Sequence, residues 1–132
     1  MRNLLLLFLI ALPAACQKPL DNRIADDARQ WTETNCPKVV DEMTRLDSMT
    51  YHIPTQVLQY WYTVSGEADS EEYWRQYDQQ VLLHKRQLAR RLRLDPDMRE
   101  LVANRRLFQF NYYSATTGKR LYFVLITPYE YE

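Results

Sequence analysis

The sequence predicts an α+β fold: a four-stranded antiparallel sheet built from two hairpins, with helices packed on one face, in the order α-β-β-α-α-β-β. Helical spacing of apolar residues in separate segments predicts the helices, and paired aromatic, β-branched runs joined by turn residues predict the hairpins. The length, 132 residues with only 2 glycines and 10 tyrosines, suits one domain with a modest core.

Taken in order, Ile24, Ala28 and Trp31 recur at helical spacing and predict a helix over 24–34. Asn35-Cys36-Pro37 should end it, because a residue before proline avoids the helical region. Residues 46–51 alternate weakly, residues 52–56 offer a turn, and 57–64 (VLQYWYTV) form the second strand of a hairpin. On that strand Leu58, Tyr60, Tyr62 and Val64 share the face expected to meet the core, while Val57, Gln59, Trp61 and Thr63 share the other. Ser65-Gly66 closes the strand. Asp69 followed by Glu72 resembles a capping box opening a long helix, whose inward stripe is Tyr73, Tyr77, Val81, His84, Leu88 and Leu92. After a bend near Leu94, Asp95-Pro96 supplies an N-cap and a first-turn proline for a shorter helix through about Asn104, with Met98, Leu101 and Val102 inward. Residues 107–114 alternate, with Phe108, Phe110 and Tyr112 on one face, and residues 115–118 make a turn. The last strand, 120–127 (RLYFVLIT), is apolar on both faces. That pattern belongs in the middle of a sheet, or on a strand whose outer face a helix covers. Pro128 ends it ahead of a polar aromatic tail, 129–132.

Ahead of this body, Met1-Arg2-Asn3, the apolar run LLLLFLIAL and Pro13-Ala14-Ala15 have the tripartite layout of a secretory signal. The apolar run is far shorter than the ~20 residues needed to span a bilayer. Ordinary signal-peptidase cleavage wants small residues at the last and third-last leader positions; cuts after Ala14 or Ala15 place Leu12 or Pro13 in the third-last slot, and a cut after Cys16 places Ala14 there and fits better, so ordinary cleavage stays open as an alternative. Ala14-Ala15-Cys16 instead resembles the lipobox of bacterial lipoproteins, in which the cysteine is lipidated on sulfur and becomes the mature N-terminus. Pro13 stands where that family usually has leucine. The resemblance implies a signal peptide over 1–15, a lipidated Cys16, a tether over 16–22 and a single domain over 23–132. It also implies a bacterial cell-envelope location, anchored to the membrane. Gln17 follows the cysteine where an aspartate would resemble an inner-membrane retention signal, which points to the outer membrane. Cys36-Pro37, Thr44-Arg45-Leu46-Asp47-Ser48 and Tyr60-Trp61-Tyr62-Thr63 resemble the bodies of small uncharacterised envelope lipoproteins, a group that brings no activity with it.

Charges balance, 17 Lys and Arg against 17 Asp and Glu, and loss of the leader removes only Arg2. No general attraction to nucleic acid follows. The basic side chains gather between His84 and Arg106, and Lys85, Arg86, Arg90, Arg91 and Arg93 should lie on the side of the long helix turned away from the sheet. There they form either a solvated face or a surface for anionic head groups. Cys36 reads as a small buried residue; were Cys16 not lipidated, a bridge between the two would stabilise by roughly 3 kcal/mol.

No catalytic constellation is visible. His52 and His84 lack a metal-ligand spacing, Asp41, Glu42 and Asp47 lack the fixed pairing of a glycosidase, and neither a nucleophile elbow nor a phosphate-binding glycine loop occurs. Metal and cofactor are therefore not expected. Trp61 and Tyr51, projecting from the first hairpin, and Tyr112 and Tyr122 in the second are the candidate contacts for a protein partner, since rigid aromatic rings give contact area at low entropic cost. The sequence thus reads as a non-enzymatic binding or envelope-support protein. The alternatives are an immunity protein or inhibitor of an envelope-active toxin, and a small periplasmic hydrolase whose site is scattered along the chain.

Overall fold

A computed structural model describes residues 18–132. Cys16, the expected leader and the first residues of the expected tether lie outside this range. Helix α1 spans Leu20–Asn35, so it opens before Ile24 and takes in part of the segment read as a tether. Its inner face buries Ile24 and Ala28, and the Thr32 hydroxyl accepts the Met49 N–H at 2.9 Å, fastening the helix to the sheet.

The sheet departs from the expected one. It has five strands, β1 Lys38–Asp41, β2 Thr44–His52, β3 Val57–Val64, β4 Leu107–Ser114 and β5 Arg120–Ile126, in spatial order β1-β2-β3-β4-β5. It is also mixed, because β3 and β4 run parallel from Val57 opposite Leu107 to Val64 opposite Ser114, while the other neighbours are antiparallel. The cause is the long helical connection between β3 and β4, which carries the chain back to the end where β3 began. Two hairpins are thereby joined side by side in parallel. The fifth strand, β1, escaped the sequence reading because all four of its residues are exposed, leaving no alternation to detect.

The expected long helix is two helices, α2 Glu71–Asp78 and α3 Val81–Leu94. Ser70, not Asp69, caps α2 by accepting the Tyr73 N–H at 3.2 Å. Asp69 accepts the N–H and hydroxyl of Thr116 at 3.2 and 2.7 Å and ties the helix start to the β4–β5 turn. The break at Gln79-Gln80 lets each helix serve its own core. Trp74 of α2 packs with Val64 and Ala68, and Ala89 and Leu92 of α3 join the main cluster with Leu58, Phe108, Phe110, Val124 and Ile126. Asp95 then accepts the Asp97 N–H at 2.9 Å and opens a 3₁₀ turn, Pro96–Met98, leading into α4, Arg99–Ala103.

Two further expectations are corrected at the C-terminal end of the chain. β5 lies at an edge rather than in the middle of the sheet, and Phe123 on its uncovered face is 48% exposed. The residues read as a tail form a short helix, α5 Pro128–Tyr131, with a capping box between Thr127 and Glu130. Tyr131 is buried edge-on against Phe108, 5.9 Å between ring centres, and its hydroxyl donates to the Arg106 carbonyl at 2.7 Å.

Candidate binding groove

The apolar stripes of α1 and of the α3–α4 connection both point at the sheet, but they stand apart over β2 and β3. Between them lies a groove of about 520 Å³. Leu46, Met49, Leu58 and Tyr60 of the sheet form its floor, Ile24, Ala28 and Trp31 one wall, and Met98 and Leu101 the other. The Tyr60 hydroxyl approaches Met98 Sδ at 3.8 Å, so even the polar tip on the floor is turned to a soft apolar neighbour. Burial pushes the Tyr60 phenol well above its ordinary range.

The rim has the opposite character. Asp27, Asp95, Asp97 and Glu100 line it, against the single cation Lys38, which lies 5.8 Å above the Trp31 ring. Glu100 is engaged by Arg23 at 3.0 Å, a bridge from α1 to α4, while Asp27, Asp95 and Asp97 have no basic side chain within ion-pair distance among the described residues. An apolar trough edged with uncompensated carboxylates attracts an apolar segment flanked by cations. Both walls were predicted in the sequence, as the Ile24, Ala28, Trp31 stripe and as the inward Met98 and Leu101. What was missed is the gap between them, which no local spacing encodes. The acidic pair Asp95 and Asp97 beside those stripes was the available signal.

The aromatic residues singled out from sequence are dispersed. Tyr51 is buried, donates to Asp21 at 2.6 Å and serves the core side of the sheet rather than projecting from it. Tyr112 and Tyr122 also face the helices, half-buried, where Tyr112 stacks on Tyr62 at 5.0 Å and lies tilted against Trp74 at 4.5 Å, and Tyr122 donates to Asp78 at 2.6 Å. Of the four, Trp61 alone belongs to the uncovered face, with its indole N–H on the Thr50 hydroxyl at 2.7 Å and its ring tilted against Tyr113.

Neither histidine meets metal-binding partners: His52 shares a 2.7 Å hydrogen bond with Thr55, and His84 stacks on Tyr77 with ring centres 3.7 Å apart. Among the described residues no group of three or more His, Cys, Asp and Glu side chains converges. Asp41 accepts the Met43 N–H in its turn, and Asp47 is held by Arg45 and Thr63. Cys36 is half-buried, and burial pushes its thiol up, away from the reactive thiolate.

On α3, Arg86, Arg90, Arg91 and Arg93 are exposed, whereas Lys85 is partly covered and bound to Glu130 at 3.1 Å. The same outer surface exposes Leu82, Leu83 and Leu94, at 71, 51 and 65%. No helix among the described residues is long and apolar enough to cross a membrane.

The model of a family described as a domain of unknown function, DUF8479, matches residues 19–122. No curated protein matches the sequence. Two solved structures share the fold. One is a candidate secreted protein from Pseudomonas aeruginosa, 13% identical, with a TM-score of 0.65 over 88% of this chain and 100% of that one. The other is the pilotin EpsS of the Vibrio vulnificus type 2 secretion system, 6% identical, with a TM-score of 0.58 over 85% of this chain and 91% of that one.

Proposed function

The chain belongs to this family of unknown function, and from its geometry we propose that it is a lipid-anchored envelope protein that binds a partner polypeptide without chemistry of its own. The observation that carries the reading is the groove over β2 and β3, apolar on its floor and walls and acidic along its rim. Its size and shape suit an amphipathic helix whose apolar stripe is bordered by lysine or arginine. The fold shared with a pilotin is in keeping with an accessory role in envelope assembly. The lipobox-like Ala14-Ala15-Cys16 supplies the anchor, and Gln17 favours the outer membrane.

Two measurements test the reading. The mass of the mature N-terminus from envelope fractions should show diacylglyceryl-modified Cys16; an unmodified N-terminus defeats the anchor. For the groove, a helical leucine–lysine amphipathic peptide should bind the protein and a leucine–glutamate counterpart should not. Asp27→Lys with Asp97→Lys should abolish the preference. Equal binding of both peptides, or indifference to the charge reversal, defeats the groove.

A further inference from the structure

β5 combines an interior strand's sequence with an edge strand's position. After Arg120, every residue of Arg120–Ile126 is aliphatic or aromatic, yet the strand pairs with β4 alone. The opposite edge is blunted in the ways that keep sheets from accepting another strand: β1 has four residues, follows Pro37, carries Lys38 and bulges between Val39 and Asp41. β5 has seven residues and contains neither proline nor lysine. Its irregular step is confined to the Arg120 end, so 122–126 stay in register with 108–112. Beside it runs an open cleft of about 520 Å³, bordered on the helical side by Asp78, Val81 and Lys85.

We propose that β5 is a dimer seam, where a second copy of this chain adds its own β5 antiparallel and the two sheets become one. A two-fold axis at Val124 makes the regular stretch 122–126 self-complementary. It sets Phe123 of one copy beside Leu125 of the other on the uncovered face, and Tyr122 beside Ile126 on the helical face. Charge agrees with this direction. Asp78 sits at the Tyr122 end, bound by that hydroxyl at 2.6 Å, and Lys85 sits at the far end, bound to Glu130 just past β5. Arg120 stands with Asp78 in the same cleft, so each end of the seam carries an acid and a base, and reversing one strand against the other offers the acid and the base of each copy a partner of opposite sign on its mate.

The test uses the full chain co-expressed with two different affinity tags. Capture through one tag should recover the other, and Phe123→Lys or Leu125→Lys should lower that recovery at least about tenfold, a change of ~1.4 kcal/mol. At concentrations low enough to keep the wild type monomeric, melting temperatures should hardly differ, because both side chains lie on the uncovered face. Independently of those variants, a Phe123→Cys/Leu125→Cys chain should form a reductant-sensitive dimer under oxidising conditions, while Val39→Cys/Val40→Cys on β1 should not. Failure of the wild-type copies to recover each other overturns the seam. So does recovery that ignores the lysines, equal cross-linking at β1, or recovery of a foreign chain alone.

Discussion

Asp21, in the first turn of α1, joins three parts of the chain that are remote in sequence. One carboxylate oxygen accepts from the Tyr51 hydroxyl at 2.6 Å and from Arg106 Nε at 3.0 Å, and the other accepts from the Gln56 amide at 3.1 Å. The Tyr51 hydrogen bond, helped by Gln56 and Arg106, holds the Asp21 carboxyl below its ordinary 3.8. Burial together with that carboxylate pushes the Tyr51 phenol up to about 12. The Arg106 side chain is only 14% exposed, so removing its counter-charge leaves a mostly covered cation without compensation. Asp21→Asn should therefore lower stability near neutral pH by about 2 kcal/mol. A depressed carboxyl stabilises the fold above its unfolded value and loses that contribution as pH falls through the folded one. The gap in melting temperature between wild type and Asp21→Asn should consequently be full above 3.8 and close at lower pH. A gap independent of pH would mean that the asparagine acts by shape rather than charge.

At the scale of elements, α3 shows what periodicity reads and what it does not. Leu88 and Leu92 turn inward, so the remaining arginines are forced outward, and both facts follow from spacing alone. The break from α2 does not, because Tyr73, Tyr77 and Val81 continue the same stripe across Gln79-Gln80 without interruption. It is imposed by two separate core clusters, whose positions only the folded chain defines. β1 was illegible for the converse reason, since a strand exposed at every residue has no inner face to mark it. Structure also adds to α3 what sequence reading had not assembled, three exposed leucines among four exposed arginines on the outer surface. That combination suits a helix resting in the boundary of an anionic membrane. Glutamine at Arg90, Arg91 and Arg93 should weaken binding of a chain made without residues 1–17 to anionic vesicles by up to ~1 kcal/mol per residue at low salt, with melting temperature nearly unchanged. Serine at Leu82 and Leu83 should weaken the part of that binding which survives high salt. Vesicle sedimentation across a salt series separates the two contributions, and binding insensitive to salt would show the arginines to be bystanders.

For the whole molecule, the decisive step is the return of the chain from α4 into the sheet beside β3, because β4 must arrive parallel to β3 and carry β5 with it. Three contacts fix the point of entry. The Leu107 N–H reaches the Gln56 carbonyl at 3.1 Å, Asp21 holds the Arg106 guanidinium, and the Tyr131 hydroxyl holds the Arg106 carbonyl. Arg105 turns the corner at φ 58°, a conformation costly for an arginine and sustained here by those anchors. The alternation of β4 was legible, but its direction was not, since a single segment carries no record of which neighbour it will meet. The C-terminal residues looked like a tail because only Tyr131 among them is buried. That one ring makes α5 part of the core and links it to the entry of β4. Tyr131→Ala should therefore destabilise the whole domain by about 3 kcal/mol, and Tyr131→Phe, which keeps the ring and loses only the bond to Arg106, by about 1 kcal/mol. Urea unfolding followed by tryptophan fluorescence and by circular dichroism should give coincident, single transitions for both variants, because the sheet and α5 share one core. If the alanine variant lost only local protection around α5 while its global midpoint held, the segment would be an appendage and the entry of β4 would be secured by Asp21 and Gln56 alone.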